Sequence, residues 1–253
     1  MSFDVPADAY VRFMGRYSTP LAGEFAALAG EPTGARVLDV GCGPGMLSEV
    51  LVADHGEDRV AAIDPAAAFV EATRVRFPRA DVRQGPAEAL PWDDDSFGAS
   101  LAQLVVPFMS DPVAGLREMG RVTRPGGIVA ACVWDHADGG GGPLSPFWTA
   151  AHALDPDAPS EAGLAGAREG HLAELAAGAG LSDIELSALT VRVPFSSYDE
   201  WWAPYLLGVG PPGSYVATLD PAARARLEQR CREELPDPPF EQPATAWCVR
   251  ARA

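Results

Sequence analysis

The stretch Val37-Leu38-Asp39-Val40-Gly41-Cys42-Gly43-Pro44-Gly45 constrains this 253-residue chain more than any other. Arg36 to Val40 reads as a short buried strand ending in glycine. Gly41, Gly43 and Gly45 follow, and a helical pattern then runs to about His55. Glycine lets the main chain turn tightly and lets a ligand approach it closely. Strand, glycine turn and helix in that order point to βαβ units around a parallel sheet.

The alternation continues downstream. Val60 to Asp64 reads as a second strand, and Pro65 stands where the first residue of a helix would, with that helix running to about Phe77. Residues 81–84 and 99–106 read as strands, with a loop over 86–95 between them. Asp111 and Pro112 open a helix to Thr123 as N-cap and first residue. Arg124-Pro125-Gly126-Gly127 reads as a turn, and 128–134 as a strand. Residues 7–30 read as helical, with a break near Ser18-Thr19-Pro20. Beyond Trp134 the alternation fails. A glycine-rich, flexible stretch at 138–143 precedes helices at 145–154, 168–179, 197–207 and 220–235, with strands at 184–194 and 245–252 and a break at 208–213. Segments 135–165 and 195–240 are expected to cap the mouth of the sheet, where open α/β sheets bind their ligands.

The charge balance narrows the partners. Nineteen basic against 35 acidic side chains leave a formal charge of −16, and every basic residue is Arg. Nucleic acid and anionic membrane both call for a basic footprint, so neither is expected. Cys42, Cys132, Cys231 and Cys248 form no zinc pattern, and no cluster of His and carboxylates stands at ligand spacing, so no metal is expected. Scattered cysteines, no signal-like N-terminus and no long apolar run give the expectation of a cytoplasmic protein.

The glycine spacing departs from the dinucleotide pattern G-x-G-x-x-G, because position 46 is Met. Gly43-Pro44 also lacks the repeated amide nest that a pyrophosphate needs. Asp64 ends the second strand about 20 residues past the first glycine, placed to accept hydrogen bonds from a ribose diol.

On these residues the chain resembles the class I S-adenosylmethionine-dependent methyltransferases, nearest the type 11 group that includes ubiquinone- and menaquinone-biosynthesis-type enzymes. The resemblance covers about residues 7–135. Val37 to Gly45 matches the family's first motif, Gly85 to Trp92 its third-strand motif, and Arg121 to Gly127 its turn before the fifth strand. It implies an α/β fold: a doubly wound, seven-stranded, mostly parallel sheet with a last antiparallel strand and a small cap, in one domain over 1–253. It implies S-adenosylmethionine as cofactor, S-adenosylhomocysteine as product, and S_N2 methyl transfer to a small apolar or aromatic acceptor. Three positions depart from the family. Pro86 stands where an Asp often bonds the adenine amino group, leaving adenine to the Ala87 amide or Glu88. Gly98 replaces an Asp. A His often present near Pro107-Phe108 is absent.

The implied cofactor contacts are Gly41, Cys42, Gly43, Gly45, Asp64, Pro65, Ala87, Glu88 and Gln103. Tyr10, Met14 and Tyr17 share one helical face, either as core or as part of N-terminal helices (1–30) folded over the cofactor. Arg16 is either solvated or paired with the methionine carboxylate. Trp134, Trp201, Trp202 and Tyr205 are expected either to pack the cap or to line an acceptor pocket. Tyr198, Trp201, Trp202 and Tyr205 recur as one helical face, read as a lid. His136 is the one candidate base, should the acceptor be a phenol or hydroxyl; otherwise the catalytic residue is unassigned. Two rivals remain: a nicotinamide-dependent oxidoreductase, disfavoured by Met46, and a non-catalytic module that only binds the cofactor.

Overall fold

The computed structural model describes residues 11–30 and 34–253. Seven strands form one sheet in the order β3-β2-β1-β4-β5-β7-β6. They are β1 (Val37–Val40), β2 (Val60–Asp64), β3 (Asp81–Gln84), β4 (Phe97–Gln103), β5 (Thr123–Trp134), β6 (Ser182–Phe195) and β7 (Phe240–Arg252). Strands β1 to β5 pair in parallel, while β7 runs antiparallel to both β5 and β6. This is the doubly wound sheet with an antiparallel last strand that the sequence implied. Strands β1, β2 and β4 are buried almost throughout, as expected of parallel strands covered on both faces.

Helices α1 (Arg16–Ala29), α2 (Met46–His55) and α3 (Ala67–Arg76) pack on one face of the sheet through Phe25, Leu51 and Val70. Helices α4 (Pro112–Val122) and α6 (His171–Gly178) cover the other through Leu116, Met119 and Leu172. Asp111 caps α4 by accepting the Ala114 amide at 3.0 Å. The cap comprises α5 (Ser145–Leu154), the short α7 (Tyr198–Trp202) with a 3-10 turn at Ala203–Leu207, α8 (Gly210–Thr218) and α9 (Pro221–Glu234). None of the helices described is long and apolar enough to cross a membrane.

Several boundaries differ from the sequence reading. Helix α1 runs unbroken through Pro20, which sits behind a π-helical turn at Val11–Gly15 where the hydrogen-bond ladder is already irregular. Helix α3 begins at Ala67, not Pro65, because Asp64 Oδ1 accepts the Ala66 amide at 2.8 Å and holds that residue extended. Residues 124–127 belong to β5, entered through a bulge in its pairing with β4. Instead of a break, 208–213 contains the start of α8, whose first turn accepts Pro211 and Pro212.

The stretch 138–143 is pinned. Asp135 Oδ2 accepts the Gly141 amide at 2.8 Å, the Asp135 carbonyl accepts Gly142 N at 2.9 Å, and Gly141 O accepts Thr245 N. A Cβ at Gly142 would lie 2.3 Å from the Asp135 carbonyl oxygen, so these glycines permit a tight wrap around Asp135.

Candidate active site

Strand order reverses at β1, which lies between β2 and β4, and ligands bind such sheets at the strand carboxyl ends beside this switch. The Ile63 carbonyl accepts the Gly41 and Cys42 amides at 2.8 and 3.0 Å, carrying the chain off β1 into the glycine turn. Gly41 has φ +72, and a Cβ there would stand 2.2 Å from Val105 Cγ2. Gly43 has φ +52, and its missing Cβ would face open space. Gly45 N-caps α2.

Asp64 Oδ2 accepts the Gly43 amide at 2.9 Å, joining the end of β2 to the turn after β1. Burial raises its pKa against those amide hydrogen bonds. Asp39, deeper in β1, accepts Ser48 Oγ at 2.6 Å, and burial pushes its carboxyl up to about 7. Burial likewise raises the Cys42 thiol, which contacts Thr73 and is no reactive thiolate.

A cavity of about 410 Å³ opens beside the turn. Gly41, Gly43, Asp64, Pro65, Ala87, Glu88 and Gln103 all line it, together with Phe69, Leu104, Val105, Phe108, Met109 and Ser110. Its titratable lining is Asp64 and Glu88, with no cation among the described residues, so it suits a cationic ligand and opposes a pyrophosphate. Glu88 Oε1 accepts the Ser110 and Asp111 amides at 2.6 and 3.1 Å. It therefore braces the chain after β4.

A recess of about 30 Å³ on the other side of the turn is lined by Ser18, Asp39, Cys42, Pro44, Gln103 and neighbouring residues. Gln103 Nε2 donates to the Ser18 carbonyl at 2.8 Å. Gln103 Oε1 and Ser18 Oγ are buried without a hydrogen-bond partner. Two orphaned polar atoms beside a glycine turn could answer a polar ligand group.

A second cavity, of about 60 Å³, lies under the cap and shares Leu104 and Phe108 with the first. Its walls include Phe13, Met14, Trp134, His136, Leu144, Glu161 and the start of α8. Burial lowers the His136 pKa to about 4 against the opposing charge of Asp135, so the ring is neutral at neutral pH.

Other candidates fall elsewhere. Tyr10 lies outside the described residues. Tyr17 is core: its hydroxyl donates to Gln242 Oε1 at 2.8 Å, and its ring meets Trp134 edge-on. Arg16 lies over the Phe195 ring, bonds Glu200 at 2.7 Å and the Pro194 carbonyl, and so ties α1 to the cap instead of to a carboxylate ligand. Trp201, Trp202 and Tyr205 line neither cavity at the strand ends. Tyr205 stacks on Phe147 at 4.7 Å, Trp202 stacks on the same ring, and Trp201 Nε1 donates to Gln242. The lid expectation is thus corrected: this face is spent filling the cap's own core, and Val209 to Pro212 face the small cavity. Gly98 is explained by packing, since a Cβ there would stand 2.5 Å from Ala35 Cβ.

A family model described as a methyltransferase domain matches residues 38–131. Residues 38–131 carry a methyltransferase domain, similar in sequence to those of S-adenosylmethionine-dependent methyltransferases. The methyltransferase domain is similar to a demethylmenaquinone methyltransferase of Renibacterium salmoninarum, 38% identical over 107 residues, 42% of this chain and 44% of that protein. A malonyl-(acyl-carrier protein) O-methyltransferase of Erwinia billingiae is 37% identical over 106 residues, 42% of this chain and 41% of its own. The chain thus spans less than half the length of these curated relatives. Among solved structures, the YcgJ protein of Bacillus subtilis matches with a TM-score of 0.58 at 18% identity, over 93% of this chain and 97% of that one. A geranyl diphosphate C-methyltransferase of Streptomyces coelicolor, solved with S-adenosyl-L-homocysteine, matches with 0.55 at 16% identity, over 94% and 80%. The family match ends inside β5, whereas the likeness of fold to these two structures covers more than nine-tenths of the chain.

Proposed function

We propose that the protein transfers the methyl group of S-adenosylmethionine to a small apolar or aromatic acceptor. The observation that carries this reading is the pair of cavities meeting at Leu104 and Phe108: a large one beside the glycine turn, lined by acids, and a small apolar one under the cap. When bound, the cofactor supplies an electrophilic methyl on a cationic sulfur; the protein supplies binding and alignment. Asp64 holds the ribose hydroxyls, the Pro86–Ala87 main chain the base, and Gln103 Oε1 with Ser18 Oγ the methionine end. Excluding water from the small cavity keeps the nucleophile aligned. The charge of −16 supports a small-molecule acceptor over nucleic acid.

The cavity under the cap favours an enzyme over a module that only stores the cofactor, because a storage module needs no second cavity. Calorimetry with S-adenosylhomocysteine tests the cofactor half of this reading. A screen of small acceptors with methyl-labelled cofactor, read by the mass gain of one methyl, tests the other. Failure of the purified protein to bind S-adenosylhomocysteine would end the proposal.

A further inference from the structure

The cavity under the cap is apolar except at three places. Trp134 is almost fully buried at the end of β5, and its Nε1 has no hydrogen-bond partner among the described residues. Glu161, in the loop between α5 and α6, is 7% exposed. Its Oε2 accepts Trp148 Nε1 at 2.7 Å, and no hydrogen bond among the described residues reaches Oε1. His136 is the third, a neutral ring in this setting.

An indole N–H only donates and a carboxylate only accepts. A ligand answering both must accept from one and donate to the other, and a hydroxyl does both. An amine beside the Glu161 carboxylate is held protonated, and a protonated amine only donates and would leave Trp134 unanswered. A carboxylate or phosphate would bring a second anion beside Glu161 in a poorly solvated site, with no Arg on the lining to offset it. Phe13, Phe108 and Leu144 supply apolar contact for the remainder of the molecule.

From this we infer that the methyl acceptor is an uncharged hydroxyl compound with a compact apolar body, held under the cap by a hydrogen bond from Trp134 Nε1 and one to Glu161, which takes the hydroxyl proton. The inference rests on the methyl-transfer reading above. The step balances within these groups. The hydroxyl oxygen forms its bond to the methyl carbon as the carbon–sulfur bond breaks. That bonding pair stays on sulfur, which becomes a neutral thioether, and the proton passes to Glu161 and on to water after release. Burial weakens His136 as a base and strengthens a carboxylate, which favours Glu161 for the proton.

The test uses para-fluorophenol as probe and para-fluorobenzoate as its anionic counterpart, followed by fluorine NMR on protein saturated with S-adenosylhomocysteine. Wild type should bind the phenol and not the benzoate. Glu161→Gln, which keeps an acceptor for Trp148, should weaken the phenol about fivefold, the scale of exchanging a charged for a neutral hydrogen bond. Met14→Trp fills the cavity from its half-buried wall and should abolish phenol binding. Both variants should bind S-adenosylhomocysteine as wild type does. With the methylated cofactor, Glu161→Gln should lower kcat for para-fluoroanisole formation about 100-fold, the scale of general-base catalysis, well beyond its effect on binding. Equal binding of phenol and benzoate, or phenol affinity and turnover unchanged in Glu161→Gln, would overturn the inference while leaving the cofactor reading intact. Loss of S-adenosylhomocysteine binding in wild type would instead sink the reading beneath it.

Discussion

Asp64 Oδ2 accepts the Gly43 amide at 2.9 Å while its Oδ1 accepts the Ala66 amide at 2.8 Å. One carboxylate thus fixes both the glycine turn after β1 and the entry to α3. It clamps the loop proposed above as the cofactor's bed, besides being the proposed partner of the ribose hydroxyls. Asp64→Ala should therefore cost at least about 1–3 kcal/mol of S-adenosylhomocysteine affinity, the value of hydrogen bonds to a charged group. Asp64→Asn, which keeps one acceptor oxygen, should lose less. Calorimetry on the three proteins decides; unchanged affinity in the alanine variant would remove Asp64 from the site.

Gly41 and Gly43 should fail in different ways. A Cβ at Gly41 meets Val105 Cγ2 at 2.2 Å, so Gly41→Ala should lower stability by about 1–3 kcal/mol through overpacking, with a left-handed backbone penalty besides. At Gly43 the Cβ meets no protein atom within 4 Å, so Gly43→Ala should pay only the backbone cost of about 1–2 kcal/mol. Its larger effect should be on cofactor affinity, because the new atom stands on the cavity wall. Urea unfolding and calorimetry separate the two. An affinity loss confined to Gly41→Ala would contradict this assignment.

Asp39 sets a pH dependence. Its carboxyl titrates at about 7 in the folded protein against 3.8 ordinarily. Between those values the folded state binds the proton and the unfolded state does not, so this group's contribution to stability falls as pH rises through the window. Asp39→Asn still offers Ser48 an acceptor but does not titrate. The unfolding free energy of wild type relative to Asp39→Asn should therefore grow as pH drops from about 7 toward 4. Urea midpoints across that range check it, and a flat difference would refute the buried titration.

Trp202 should be a stability residue. Its ring stacks with Phe147 and Trp201 at centroid distances of 6.4 and 6.5 Å, within the cap core. Trp202→Ala should cost about 3–5 kcal/mol, the range for large aromatic truncations. Cofactor affinity in the folded fraction should stay at the wild-type value. Full stability with weakened acceptor KM would restore the lid role.

The sheet was legible because its signals are local: glycine after an apolar run, an acid at a strand end, Asp-Pro before a helix. That Gly41, Gly43, Asp64, Ala87 and Gln103 border one cavity was legible with it, since a glycine turn and the strand ends converge wherever such a sheet forms. The cap was not. The spacing of Tyr198, Trp201, Trp202 and Tyr205 says that one face is buried, but the burying surface, Phe147 with the β6–β7 edge, is set by tertiary contact alone. Glu161 gave no signal, being one acid in a loop of Pro, Ala and Gly. Ser18 sat beside an expected helix break that the structure does not contain. The glycines at 139–142 read as looseness, although they serve close approach to Asp135, which composition cannot distinguish from flexibility.

Leu104 follows β4 in a left-handed backbone conformation, φ 64, its amide held by the Cys132 carbonyl at 2.8 Å. It borders the large cavity, the recess and the small cavity alike. A non-glycine residue in this conformation is costly and persists only where its surroundings insist on it. The side chain so placed stands between two rooms, and in the proposed reaction its length would meter how far an acceptor advances toward the donor. Trimming it would widen the doorway, admitting bulkier guests and holding small ones less firmly. On the methyl-transfer reading, selectivity for acceptor size would be written into one branched carbon skeleton at the crossroads of the fold.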